Sequence, residues 1–247
     1  MCYSANMSFS LAAVGALCTA AAVIDAGLRQ QLVWIPFAFY TCMELLQGVQ
    51  YSHVNRCGEK ANVISTEIAY LLVIVQPLMW NVIYYRRTSG CERKVFVVGM
   101  AMAAVWIVMN VAARVLHGAP GFVERTNDTF SYVREGGTVG GEKGCTMKAE
   151  GNHHLYWKWS SADFRGMDAN WLLYLLIWFV PALVSAGQRK NVLFAMGAAA
   201  IAFVITAKFG ADVAEFASLW CMFSVPFLVL ILAETFLFSG RGLRRRA

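Results

Sequence analysis

The chain contains 247 residues, of which 58% are hydrophobic and only 15% are charged. This composition lies well outside the range of an average soluble domain and indicates a protein of the lipid bilayer. The formal net charge is +6, but the basic residues lie mainly in short loops, where they set membrane orientation. The net charge therefore gives no indication of a nucleic-acid partner.

Seven segments are long and apolar enough to cross the hydrocarbon core of a bilayer, which is about 30 Å thick. They cover residues 8–24, 32–52, 61–83, 95–116, 170–187, 191–208 and 216–238. Polar turns such as NRCGEK, RRTSGCERK, GQRKN and KFGAD separate them. The first and sixth segments are short and rich in alanine, so a buried helix or an uncleaved signal-like segment would show the same pattern.

The sequence thus predicts an all-α, polytopic membrane protein with a single domain over residues 1–247. Its seven transmembrane helices form a bundle, and a long loop, residues 117–169, joins the fourth and fifth helices. This loop has mixed charge and a glycine-rich stretch, GGTVGGEKG. Such a composition is typical of a small cap or a flexible lid.

Lysine and arginine in the short loops indicate which end of the bundle faces the cytoplasm. Most of them fall in one set of loops and the C-terminal tail: Arg29, Arg86, Arg87, Arg93, Lys94, Arg189, Lys190, Arg241, Arg244, Arg245 and Arg246. Short loops at the opposite end contain only Arg56, Lys60 and Lys208. The C-terminus is therefore predicted in the cytoplasm, and the N-terminus and residues 117–169 are predicted outside it.

Two cysteines, Cys57 and Cys145, fall on the predicted extracytoplasmic side, where disulfides persist. A bond between them would tie the loop of residues 117–169 to the helical bundle. Cys2 lies on the same side and is a competing partner. Cys91 is expected to be a free thiol in the cytoplasm.

Glu44 places a carboxylate inside the second apolar segment. At 1.5 Å per residue it lies about 18 Å along that helix, slightly past the midplane, and Gln47 and Tyr51 follow on the same face. Polar residues in the third, fourth and seventh segments reach a similar depth, so a shared outward-opening cavity is expected. The predicted ligand-binding residues, including two from the loop, are Glu44, Gln47, Glu67, Asn110, His154, Trp157, Trp220 and Ser224.

A structural alternative to a ligand site remains open for Glu44. An ionised carboxylate alone in hydrocarbon is penalised by a few kcal/mol or more, so it faces the bundle interior, finds a partner or stays protonated. Protonated Glu44 could bond to Gln47, Asn110 or a backbone carbonyl and hold helices together. The Gln76-Pro77 pair is interpreted as a kink in which the glutamine helps to satisfy the interrupted helix.

The sequence identifies neither a cofactor nor a metal. A Zn²⁺ site built from His154, Glu44 and Glu67 would suit a membrane hydrolase, but no HExxH motif accompanies these residues. Adjacent His153 and His154 cannot easily bind one ion without a turn, because neighbours on an extended chain point to opposite sides. A retinal protein is excluded because the seventh segment lacks a lysine for the Schiff base.

Short motifs spread over most of the chain resemble one known family: MCYS, YTCMELLQ, CGEKAN, QP, HLYW and LWCMFS. This is an uncharacterised family of multi-spanning membrane proteins that typically begin Met-Cys-Trp-Ser, and here Tyr3 stands in place of the tryptophan. The resemblance implies no activity. The positions that match family motifs are Cys2, Glu44, Gln47, Cys57, Gln76, Pro77, Cys145, His154, Trp157, Trp220, Cys221 and Ser224.

Three classes of function fit these observations. The favoured one is a binding or permeation protein that takes a proton, a cation or a small polar ligand at Glu44 and Gln47, with Glu44 alternating between protonated and ionised states. The second is a lid-gated membrane enzyme acting on lipid, which requires His154 and Glu44 within a few ångströms of each other. The third is a receptor or scaffold without chemistry, in which Glu44 is sealed and internally hydrogen-bonded.

Overall fold

The computed structural model describes residues 4–116, 144–148, 154–159, 171–209, 221, 223–226 and 228–229. The described chain is mostly helical. Its helices are α1 (Ala5–Ile24), α2 (Ala26–Gln30), α3 (Trp34–Gln50), α4 (Lys60–Arg87), α5 (Arg93–Leu116), α6 (Trp171–Val184) and α7 (Arg189–Phe209). A 3-10 turn, Gly90–Glu92, leads into α5. Cys221, residues 223–226 and residues 228–229 also have helical backbone, and we refer to them as the C-terminal helical segment.

The helices begin and end within a few residues of the first six apolar segments of the sequence. The short helix α2 was not predicted. It begins directly after Asp25, the residue that ends α1. The Asp25 side chain accepts a hydrogen bond from the Leu28 N–H at 2.9 Å and so caps α2. The seventh apolar segment lies mostly outside the described residues.

Three stretches of the described chain are long and apolar enough to cross a membrane. They are Ala5–Ile24, Lys60–Arg87 and Gly90–Ala112. Their outward faces carry large apolar side chains, such as Ile24, 82% exposed, and Val108, 65% exposed. The buried interior of the described chain instead contains many polar side chains, including Glu44, Gln76 and Asn81.

Helices α1 and α3 pack closely because small residues line their contact. Ser8, Ala12, Gly15 and Ala22 are the buried residues of α1. A Cβ added to Gly15 would collide with the Thr41 hydroxyl, and one added to Gly48 would come within 2.7 Å of the Phe9 ring. Small residues that let two backbones approach in this way are typical of helix contacts in membranes.

Helices α4, α5 and α6 meet around Asn81. The Asn81 side-chain amide donates to the carbonyls of Pro77, at 2.8 Å, and Ile177, at 3.0 Å. Gly99 of α5 packs directly against Asn81 and Pro181. Pro77 lies inside α4 as predicted. However, the Gln76 side-chain oxygen accepts a hydrogen bond from the Tyr174 hydroxyl of α6, so this glutamine joins two helices rather than serving only its own.

A two-stranded antiparallel sheet lies within the long loop, where no strand was predicted. Strand β1 (Gly144–Met147) pairs with β2 (Tyr156–Trp159), and Thr146 lies opposite Trp157. Cys57 and Cys145 form a disulfide that fastens this hairpin to the turn between α3 and α4. We call the end formed by residues 51–59 and the hairpin the hairpin end.

The opposite end of the helices is held together by polar contacts between two turns. The Ser185 hydroxyl, after α6, donates to the Glu92 carboxylate at 2.6 Å. The Gln188 amide donates to the Thr88 hydroxyl at 3.5 Å. We call this the arginine end, after Arg87, Arg93 and Arg189. Because α4 has 28 residues, the two ends are about 42 Å apart.

Candidate functional site around Glu44

Glu44 lies in the middle of α3 and is completely buried. Neither of its carboxylate oxygens has a partner at hydrogen-bonding geometry among the described residues, although Ser8 of α1 interacts with the carboxyl group. The close α1–α3 packing positions this serine. Glu44 therefore lies at the contact between α1 and α3, beside Ser8.

Gln76 and Cys221 extend this site across the bundle. The Tyr174 hydroxyl donates to the Gln76 side-chain oxygen, which directs the amide nitrogen of Gln76 away from Tyr174. Gln76 also interacts through its side chain with the buried Cys221 thiol, and Cys221 lies within electrostatic range of Glu44. A polar chain thus runs from α6 through α4 and the C-terminal helical segment to Glu44 on α3.

Ser224 lies one turn beyond Cys221 and belongs to a neighbouring polar group. The Tyr40 hydroxyl interacts with Ser224 and accepts a hydrogen bond from the Trp80 indole N–H at 3.3 Å. Tyr40 precedes Glu44 by one turn of α3. Cys221 and Ser224, two of the buried residues of the C-terminal helical segment, therefore both lie toward the same side of α3.

Predicted site residues from the hairpin lie further along α3. The Trp157 indole N–H donates to the Gln50 side-chain oxygen at 2.9 Å, and the Gln50 amide donates to the Ser65 carbonyl at 3.0 Å. The Tyr51 hydroxyl is 3.1 Å from His154 Nδ1. Gln47 is completely buried between this contact and Glu44, so α3 carries polar side chains from Glu44 up to the hairpin.

The strongest polar contacts of the hairpin come from residues that the sequence did not reveal. The buried Asn62 side chain accepts from the Thr146 N–H at 2.9 Å and donates to the Thr146 carbonyl at 3.0 Å. In the same way, the Asn55 side chain accepts from the Lys148 N–H at 2.7 Å and donates to the Lys148 carbonyl at 2.9 Å. Two asparagines thus cover the edge of β1 that does not face β2. An asparagine beside an apolar segment is the only sequence signal, and such residues are common at helix ends.

The described contacts do not place Asn110 or Glu67 in a common cavity with Glu44. Asn110 accepts from the Tyr70 hydroxyl at 2.6 Å and donates to the Trp106 carbonyl at 2.7 Å, so it links α4 and α5. Glu67 is half-buried on α4. Trp220 lies outside the described residues.

Among the described residues, no group of three or more histidine, cysteine, aspartate or glutamate side chains is placed to hold a metal ion. The suggested zinc set of His154, Glu44 and Glu67 is therefore not assembled. Tyr51, which contacts His154, lies seven residues from Glu44, a rise of about 10 Å along α3.

Comparison with known proteins identifies a family but no activity. Residues 6–238 match a family of unknown function, DUF5765. The uncharacterized protein R287 of Acanthamoeba polyphaga mimivirus is 22% identical over 249 residues, which cover 97% of this chain and 98% of the viral protein. No solved structure matches significantly.

Proposed function

We propose that this chain, which belongs to the DUF5765 family of unknown function, is a multi-pass membrane protein. In this proposal it binds a proton, a cation or a small polar ligand at Glu44. The site consists of Glu44 with Ser8, Gln47, Gln76 and Cys221. The hairpin caps the bundle above it.

The distribution of side chains supports a position in the bilayer. Large apolar residues such as Leu17, 73% exposed, face outward from the helices, whereas many polar residues of the described chain, such as Glu44 and Asn81, are buried between them. A soluble protein has the opposite preference. In a membrane this arrangement is favourable, because lipid covers the apolar faces and polar groups find partners inside the bundle.

The arrangement of the turns supports a chain that crosses repeatedly. The turn after α3 contacts the hairpin, which follows α5 in sequence, and both belong to the hairpin end. The turn after α4 contacts the turn after α6 at the arginine end. We therefore propose the seven-helix arrangement with the hairpin end and N-terminus outside and the C-terminus in the cytoplasm, as the loop charges predict.

The single observation that carries the proposal for Glu44 is its complete burial without a hydrogen-bond partner for either oxygen among the described residues. An unpaired buried charge is strongly penalised, so the carboxyl group must carry a proton or meet a cationic or hydrogen-bonding ligand. A purely structural glutamate would instead be satisfied by neighbouring helices. Binding is favoured over hydrolysis, because the described contacts place His154 on Tyr51 and not on Glu44.

The test compares wild type with Glu44→Gln in purified, reconstituted protein. Glutamine keeps the shape but cannot lose a proton or neutralise a cation. We measure the thermal midpoint with Na⁺, K⁺ or Ca²⁺ added singly, and proton release on cation addition. If the ligand is a cation, wild type is expected to gain about 2–3 kcal/mol of stability at a cation concentration near 100 Kd. If the ligand is a proton, the thermal midpoint of wild type should change with pH and not with the added cations.

Glu59→Gln is the matched control, because it removes an exposed acid at the hairpin end that belongs to neither the predicted nor the proposed ligand site. It should leave these responses unchanged, whereas Glu44→Gln should lose them and remain folded. The proposal fails if Glu44→Gln responds like wild type. It also fails if Glu44→Gln unfolds while neither protons nor any of the cations affects wild type, since Glu44 would then be structural.

A further inference from the structure

Three arginines at the arginine end are anchored in the same way. Each donates its Nε–H to a backbone carbonyl: Arg87 to Gln31 at 3.3 Å, Arg93 to Tyr85 at 3.2 Å, and Arg189 to Leu183 at 2.9 Å.

These carbonyls lie at or near the ends of α2, α4 and α6. Carbonyls there lack partners within their own helix, so arginine is a suitable capping group. Capping uses only the Nε–H of each side chain. The four N–H groups on the two terminal nitrogens are oriented by this contact, and they are left for a second partner at the half-buried Arg87 and Arg93 and at the exposed Arg189. Arg93 is further fixed by stacking over the Tyr85 ring, 4.6 Å from its centroid.

The described acidic residues of this end, Asp25 and Glu92, do not form ion pairs with the three arginines. Within the described chain, no carboxylate lies within ion-pair distance of Arg87, Arg93 or Arg189. Asp25 caps α2, and Glu92 accepts a hydrogen bond from Ser185. The charge of Arg189 is the smallest of the influences on the pKa of Glu92. The exposed Arg86 and Lys94 add further positive charge.

The polar contacts between turns bring these arginines to one end of the bundle. Arg87 and Arg93 flank the turn of residues 88–92, and that turn is bonded to residues 185–188, which immediately precede Arg189. Membrane orientation requires only positive charge at this end, which mobile lysines would supply equally well. Fixed guanidinium groups are a more specific feature, because their planar fork matches the oxygens of a phosphate group.

We propose that the arginine end binds the phosphate groups of anionic phospholipids through Arg87, Arg93 and Arg189. The inference rests on the bilayer part of the proposed function and is independent of Glu44. The charged heads of the leaflet that surrounds this end supply the phosphate groups. Bound lipid would neutralise the positive charge that the carboxylates leave uncompensated.

The experiment measures lipid retention by native mass spectrometry and thermal stability in nanodiscs. Protein is reconstituted with phosphatidylcholine alone or with an equal mixture of phosphatidylcholine and phosphatidylglycerol. We expect wild type to retain phosphatidylglycerol at least tenfold in preference to phosphatidylcholine and to be more stable in the mixture. The triple variant Arg87→Gln, Arg93→Gln, Arg189→Gln should lose both effects.

Two further variants separate charge, capping and location. The matched control Arg56→Gln removes an exposed arginine from the hairpin end and should bind lipid like wild type. The triple lysine variant keeps the charge but lacks the planar fork, so it should lose most of the preference. It also provides the test if the triple glutamine variant does not fold.

Three results would overturn the proposal: unchanged lipid preference in the folded triple glutamine variant, wild-type preference in the triple lysine variant, or equal loss in Arg56→Gln. Stabilisation by inorganic phosphate in lipid-free detergent, as large as that by phosphatidylglycerol, would overturn it in favour of a free anion. The bilayer assignment is tested separately, since it fails if the protein remains monodisperse in buffer without detergent.

Discussion

Glu92 is a single carboxylate that joins two turns at the arginine end. It accepts from the Ser185 hydroxyl at 2.6 Å, and the backbone amides of Gly187 and Ala186 further favour its ionised form. The Ser185 hydroxyl, followed by these amides, holds the pKa of Glu92 below its usual value of 4.5. The ionised form is thus the one that the fold stabilises.

This pKa predicts a loss of stability in acid. Because the folded pKa of Glu92 is depressed, its contribution is fully present above about pH 4.5 and is lost as the pH falls through the folded pKa. We expect Glu92→Gln to lower the thermal midpoint at pH 7 and to reduce its fall between pH 5 and pH 3. Thermal unfolding in detergent across this range measures both effects.

Ser185→Ala serves as the partner variant for this prediction. It removes the main hydrogen bond to Glu92 and should reproduce part of both effects. An acid-induced loss of stability that is identical in wild type and Glu92→Gln would show that other groups cause it.

Glu44 shows how far single residues could be predicted. Its position inside an apolar segment and the spacing to Gln47 were sufficient to identify a buried polar face on α3. The sequence did not show that Gln76 and Cys221 approach this face, because that contact depends on how α3, α4 and the C-terminal helical segment pack. Asn62 was missed because its partner, Thr146, lies 84 residues away.

At the scale of elements, the long apolar runs determined the helix positions well. Helices α4 and α5 begin within two residues of the predicted segments because charged residues bound their apolar runs. The hairpin was missed because its strands have only four residues each and are stabilised by the turn on which they dock. Local sequence carries little of that information.

The hairpin contacts also change the expected effect of disulfide reduction. Cleaving Cys57–Cys145 alone leaves the Asn62, Asn55 and Gln50 hydrogen bonds in place. We predict that the reduced hairpin stays docked, in contrast to the loosening expected of a flexible lid. Hydrogen exchange of the Thr146 amide, measured with and without reductant, checks this prediction.

Asn62→Ala should release the hairpin more effectively than reduction. It leaves the Thr146 N–H without its side-chain acceptor, at a cost of about 1–3 kcal/mol for a buried group, whereas the Thr146 carbonyl keeps the Asn55 N–H at 3.1 Å. We expect much faster exchange of the Thr146 amide, most clearly when reductant is also present. Asn55→Gly, at an exposed position whose positive φ glycine tolerates, should have a smaller effect, and equal effects of the two substitutions would contradict the prediction.

At the scale of the whole molecule, the proposed orientation places the hairpin end outside and the arginine end in the cytoplasm. Cys91 is an exposed free thiol in the turn after α4, so it reports on the arginine end. In intact cells it should resist a membrane-impermeant maleimide and react after permeabilisation. Labelling is detected by mass spectrometry of the purified protein.

The variant Cys91→Ser with Ser52→Cys is the matched control. Ser52 is exposed at the hairpin end, so the new thiol should react in intact cells. The reverse labelling pattern at the two positions would show the opposite orientation. Reaction of both thiols without permeabilisation would show that the chain does not cross the membrane between the hairpin end and the arginine end.

The asparagine clamp also implies an order of biogenesis. Asn62 is synthesised 84 residues before the Thr146 backbone that it binds. In the proposed membrane topology, α4 and α5 must both be inserted before the hairpin reaches the end at which α4 begins and that amide is satisfied. Until then, the Asn62 side chain lacks the Thr146 backbone partner that the finished fold supplies.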